Sequence, residues 1–78
     1  MATVRLFAAA SEAAGVDQTA VDAGSVGEVR SRLVENHGGD LERVLNQCSF
    51  MVDGTRADDD TAITASALVD VLPPFAGG

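Results

Sequence analysis

Ser25-Val26-Gly27-Glu28-Val29-Arg30-Ser31-Arg32-Leu33-Val34-Glu35-Asn36-His37-Gly38-Gly39 is the clearest local signal in this chain. Its first four residues spell a capping box: the Ser25 hydroxyl accepts from the Glu28 amide, and the Glu28 carboxylate reaches back toward the start of the turn. Val26, Val29 and Leu33 follow at helical spacing, which turns Arg30, Arg32 and Glu35 to solvent. Asn36 to Gly39 stops the helix, glycine being the usual residue where a helix ends left-handed. Leu41, Val44 and Leu45 supply material for one more helical turn beneath the core.

On both sides of this helix the apolar period changes from helical to two. Toward the N-terminus, Val4, Leu6 and Ala8 alternate with Arg5 and Phe7, the pattern of a half-buried strand with Phe7 on the outer face. Gly15-Val16-Asp17 reads as a turn and Thr19 to Asp22 as a returning strand, so the first two strands form a hairpin. Toward the C-terminus, Cys48, Phe50 and Val52 share one face of a third strand, and Asp53-Gly54 suits a tight turn. Arg56 to Ser66 is polar and acidic, with Ile63 as its anchor to the core. Leu68 to Leu72 is the last strand, Val69 and Val71 inward, Leu68, Asp70 and Leu72 outward. The expected order is strand, strand, helix, strand, strand. This is an α+β arrangement, a mixed sheet with one main helix packed on one face and the first and last strands side by side.

Composition agrees with that size of core. Seventy-eight residues bury only about 60% of the surface that the unfolded chain exposes. Thirteen alanines and ten valines make up much of the 46% hydrophobic content. One domain over residues 1–78 is expected, with 73–78 as a flexible tail. Five arginines and no lysine face twelve acids, a net charge of −7. Nucleic-acid binding needs phosphates neutralised, so no nucleic-acid partner is expected. No apolar run approaches the roughly 20 residues that cross a bilayer, and no basic, apolar leader opens the chain. No membrane contact and a cytoplasmic location are therefore expected. The lone Cys48 fits a reducing compartment. An acidic molecule of this kind favours a partner with a basic docking surface.

The chain closes on Leu72-Pro73-Pro74-Phe75-Ala76-Gly77-Gly78. Two prolines cannot donate to a ladder, so the strand stops at Leu72, and the prolines hold the tail extended. The four residues after Pro74 reach about 13 Å at full stretch. Ala76, Gly77 and Gly78 are narrow enough to thread a slot that admits little beyond backbone, with a carboxylate at the tip.

The element order, the Asp53-Gly54 turn and above all Leu-Pro-Pro-Phe-Ala-Gly-Gly resemble ubiquitin-like β-grasp sulfur carriers of the MoaD/ThiS group. Within it they resemble the small-subunit branch of molybdopterin synthase, as does the opening Leu6-Phe7-Ala8. The resemblance implies a protein that is itself a substrate and not catalytic alone. An E1-like adenylating enzyme would use ATP to activate Gly78, and a sulfur donor protein would convert that adenylate to a thiocarboxylate. The tail would then enter the large catalytic subunit of molybdopterin synthase and pass its sulfur to a pterin precursor. No cofactor would be bound by the chain itself. Carriers serving thiamine thiazole or cysteine synthesis, and ubiquitin-like protein modifiers, are the alternatives. Two departures from the family pattern stand out. Ala65-Ser66-Ala67-Leu68 replaces a Gly-Asp-Glu type turn, and Arg56 occupies a position that is often apolar.

Gly77 and Gly78 are thus the expected reactive end, and Phe7, Leu72, Pro73, Pro74, Phe75 and Ala76 the expected partner-binding residues. Phe7 and Leu72 are outward-facing neighbours at the base of the tail, and paired exposed apolar side chains mark docking patches more than single ones do. Phe75 is expected to anchor in a partner pocket. Cys48 reads as a small buried hydrophobe. Asp58-Asp59-Asp60 lacks the glycine and later glutamate of a calcium loop and reads as a solvated turn. His37 closes a helix, where a cation is favoured, and no metal-ligand spacing accompanies it.

Overall fold

The computed structural model describes residues 1–74. Five strands form one sheet in the order β2-β1-β5-β3-β4, where β1 is Ala2–Leu6, β2 Gln18–Val21, β3 Ser49–Val52, β4 Thr55–Ala57 and β5 Leu68–Leu72. β1 and β5 pair parallel, with Val4 beside Val69 and Leu6 beside Val71; the other three pairings are antiparallel. The first and last strands therefore lie side by side in a mixed sheet, with β5 at its centre.

Three helices cover one face: α1 (Ala9–Ala14), α2 (Val26–His37) and α3 (Gly39–Leu45). Val26, Val29 and Leu33 of α2 and Leu41 and Leu45 of α3 are buried against Val4, Leu6, Phe50, Val69 and Val71. The period-two side chains of the sheet thus meet the helical stripe, and no helix of the described residues covers the other sheet face. Ile63 packs against the edge of this core, as expected, whereas Cys48, expected buried on the inward face of the third strand, precedes β3 and is only partly buried.

The capping box forms. The Ser25 hydroxyl accepts from the Glu28 amide at 3.2 Å, and the Glu28 carboxylate accepts from the Gly24 amide at 2.9 Å. The remaining free amides of the first turn reach the acidic loop, Val26 N–H to the Thr61 carbonyl (3.0 Å) and Gly27 N–H to the Asp59 carbonyl (2.9 Å). A helix start leaves its first amides unpartnered, and here those of Val26, Gly27 and Glu28 each find an acceptor. Gly27 suits this approach, because a Cβ there would stand 3.2 Å from the Asp59 carbonyl oxygen, a tight contact that the loop would have to yield to accommodate.

Four further expectations are corrected. β1 ends at Leu6, and Ala8, expected to face inward, is exposed at φ 51° and starts α1. β1 and β2 pair antiparallel as expected, but a helix separates them. Asp53 and Gly54, both at positive φ (50° and 85°), close a two-residue turn that returns a further strand, β4, where a polar loop was expected. The sheet has five strands because of it. Last, Arg30 is half-buried instead of turned to solvent. Its guanidinium donates to the Leu45 carbonyl at 3.0 Å, pairs with Asp59 at 3.2 Å and lies 4.8 Å from the Phe50 ring centroid. A long arginine stem can cover apolar surface while its head stays polar, and here it ties α2 to α3 and to the acidic loop.

Candidate functional site at the root of the tail

β5 runs through the centre of the sheet and delivers the chain to Pro73 at one end of it. Its neighbours fix that exit point. Leu72 pairs with Ser49 on β3, and the Phe7 amide donates to the Val71 carbonyl at 3.2 Å, one step beyond the β1 ladder. Proline supplies no amide, so the ladder stops where the sequence requires.

The expected partner-binding residues separate into three groups. Phe7, the first residue past β1, and Leu72, the last of β5, follow the inward Leu6 and Val71 at the same end of the sheet. Phe7 is 37% exposed and Leu72 is half-buried. Pro73 is buried and Pro74 exposed. Both line a groove of about 460 Å³ between α1 and α3, walled by Ala9, Ala13 and Val44. Phe75, Ala76, Gly77 and Gly78 lie outside the described residues.

One feature of the open face was missed in the sequence. Arg5 sets a two-pronged contact on Asp70, Nε to Oδ1 at 2.7 Å and Nη2 to Oδ2 at 2.9 Å, across the parallel β1–β5 pair. That hydrogen bonding raises the guanidinium pKa further above its ordinary value. The same guanidinium stands 5.8 Å from the Phe7 ring centroid, within reach of a cation–π contact. The signal was available: Arg5 and Asp70 are outward positions of the two strands expected to be adjacent.

The rest of the molecule offers little chemistry. Burial pushes the Cys48 thiol up from its ordinary value, with Arg30 partly offsetting it, and Sγ donates to the Val44 carbonyl at 3.1 Å. A protonated, tethered thiol is a poor nucleophile. Among the described residues no group of three or more histidine, cysteine, aspartate or glutamate side chains is arranged to hold a metal. No described helix is long and apolar enough to cross a membrane.

Comparison with known proteins gives one family and one fold. The ThiS family model matches residues 4–78. SAMP1, the small archaeal modifier protein 1, of Haloferax volcanii is 28% identical, with 99% of this chain and 98% of that one covered at a TM-score of 0.79. The Methanosarcina acetivorans protein of the same name superposes at 0.86 with 22% identity, covering 99% and 95%. A complex of subunits 1 and 2 of the molybdopterin-converting factor from Helicobacter pylori matches at 0.73 with 23% identity, covering 99% and 97%. The last two establish likeness of fold alone. No curated protein sequence matches the chain.

Proposed function

The chain belongs to the ThiS family of ubiquitin-like β-grasp proteins, and from that premise we propose that it is the sulfur-carrying small subunit for molybdopterin synthesis. The observation that carries the reading is the central strand β5 running directly into Pro73-Pro74 and the Phe-Ala-Gly-Gly end, a stretch that the family match includes. A bare carboxylate is a poor electrophile. When the Gly78 carboxylate attacks the α-phosphate of ATP, pyrophosphate leaves and the acyl carbon gains AMP as a good leaving group. Hydrosulfide supplied by the donor protein then attacks the acyl carbon and displaces AMP, leaving a thiocarboxylate. Its soft sulfur attacks the pterin precursor inside the large subunit, and hydrolysis of the resulting thioester leaves the sulfur on the pterin and restores the Gly78 carboxylate. All acid–base work belongs to those partners. The chain contributes reach, narrowness and a docking face. The Helicobacter pylori complex of subunits 1 and 2 supports a large-subunit partner of this kind.

Mass spectrometry of the C-terminal peptide from cells tests this: a fraction of the peptide should carry one sulfur in place of one oxygen. Deleting Gly78, or extending the chain beyond it, should abolish sulfur transfer while the melting temperature stays put, since the change lies beyond the last strand. An extended protein with full activity and an unprocessed extension would refute it. The likeness to SAMP1 favours one second reading, a protein modifier joined to lysines of other proteins. Having no lysine, such a modifier would build no chains through its own side chains, and its mark would be single isopeptide adducts.

A further inference from the structure

The charge of this molecule is unevenly placed. Within the five strands the only charged residues are Arg5, Arg56 and Asp70, although the whole chain carries −7. All three lie in one row across the open face, where the register sets Gln18, Arg5, Asp70, Met51 and Arg56 side by side. Arg5 and Asp70 neutralise each other. Arg56 is exposed and makes no ion pair among the described residues. Within the strands the open face is therefore an apolar and neutral surface with one guanidinium outside any described ion pair at its edge. The other eleven acids lie outside the strands, and Asp58, Asp59 and Asp60 line a concavity that Arg56 shares.

We propose that Arg56 selects the partner, requiring a surface that is apolar opposite Phe7, Leu72 and Met51 and carries a carboxylate opposite Arg56. The inference rests on the proposed function, in which the open face docks on the large subunit, and adds the charge which that subunit must present. Net charge alone calls for a basic partner surface, whereas the local charge of this face calls for an acidic one. An arginine presents a planar fork of donors that matches a carboxylate, and it is weakly hydrated enough to be enriched in interfaces. Met51, beside it, is the adaptable apolar contact such a surface needs. Edge-strand protection is the competing role for Arg56, but a charge of either sign serves that purpose.

The test is calorimetric affinity for the large molybdopterin synthase subunit from the same source, at about 0.05 M and about 0.5 M salt, where screening differs severalfold in range. Arg56→Glu should bind about tenfold more weakly at low salt and Arg56→Gln about threefold, with the gap narrowing at high salt. Arg32→Glu changes the net charge by the same amount on the exposed side of α2 and should leave affinity within about twofold. Melting temperatures of all three variants confirm that each is folded. If Arg56→Glu binds as well as or better than the unaltered chain, or if it and Arg32→Glu weaken binding equally, Arg56 does not select the partner. If the unaltered chain itself does not bind, the molybdopterin reading falls and takes this inference with it.

Discussion

Ala8 shows how one residue redirects the chain. It holds φ 51° and ψ −123°, a conformation that L side chains rarely adopt, and strain of this kind costs about 1–3 kcal/mol. The cost is tolerated because both neighbours are held. The Phe7 amide bonds to the Val71 carbonyl, and Ala10 is completely buried. The Ala8 methyl is exposed and packs on little that would be lost with it. Glycine at position 8 should therefore relieve the strain, against about 0.4–1 kcal/mol of extra freedom in the unfolded chain. Ala8→Gly is expected to raise stability by about 0.5–1 kcal/mol, read as a higher urea midpoint at unchanged slope. A lower midpoint would show that the methyl has a packing role after all. This kink is illegible in the sequence for a physical reason. Alanine carries no preference for positive φ, so Val4, Leu6 and Ala8 read as one unbroken alternation.

Elements are legible in proportion to how many residues state their period. α2 has twelve residues, a capping serine and three buried apolar positions, and it forms where its pattern predicts. β4 has three residues, of which only Ala57 turns toward the core, and alternation cannot be recognised over so short a span. α1 is a six-residue run of alanine, serine and glutamate whose composition favours helix but whose length gives no stripe to read. The acidic loop reads as solvated, yet its carbonyls at Asp59 and Thr61 complete the start of α2 and its Asp59 carboxylate holds Arg30. That coupling makes the helix start a cooperative unit. Ser25→Ala removes the side-chain acceptor for Glu28 and should cost about 1 kcal/mol. Because the loop binds the same turn, amide exchange at Val26 and Gly27 should quicken together with exchange at Thr61 and Ile63. Faster exchange at Glu28 alone would show that the loop and the helix start open independently.

At the scale of the whole molecule, the two faces of the sheet divide the buried core from the open surface that the proposed function assigns to docking, and β1 and β5 contribute to both. Val4, Leu6, Val69 and Val71 face the helices and are buried, whereas Arg5, Phe7, Asp70 and Leu72 alternate with them on the open side. The parallel pairing also sets the end of β1 beside the root of the tail, so that on the proposed function a partner receiving the tail would meet Phe7 and Leu72 on the same approach. This division is readable from the alternation, while the Arg5–Asp70 bridge was missed because it depends on the register between strands sixty-five residues apart. The consequence is a clean separation between neighbouring residues. Burying a large apolar side chain in a partner contributes about 1.5–3 kcal/mol, so Phe7→Ala and Leu72→Ala should each weaken docking on the large subunit by roughly one to two decades. Their melting curves should move little, since the core beneath them is untouched. Val71→Ala removes a fully buried side chain flanked by Leu6 and Phe50 and should lower stability by about 1–3 kcal/mol through lost contacts and a small void. Its affinity for the partner, measured where the protein is still folded, should stay near that of the unaltered chain. Calorimetric affinity and melting curves for the three variants decide the matter. If Phe7→Ala or Leu72→Ala melts as early as Val71→Ala while binding normally, the open face is structural and docking has to be sought on the helical side.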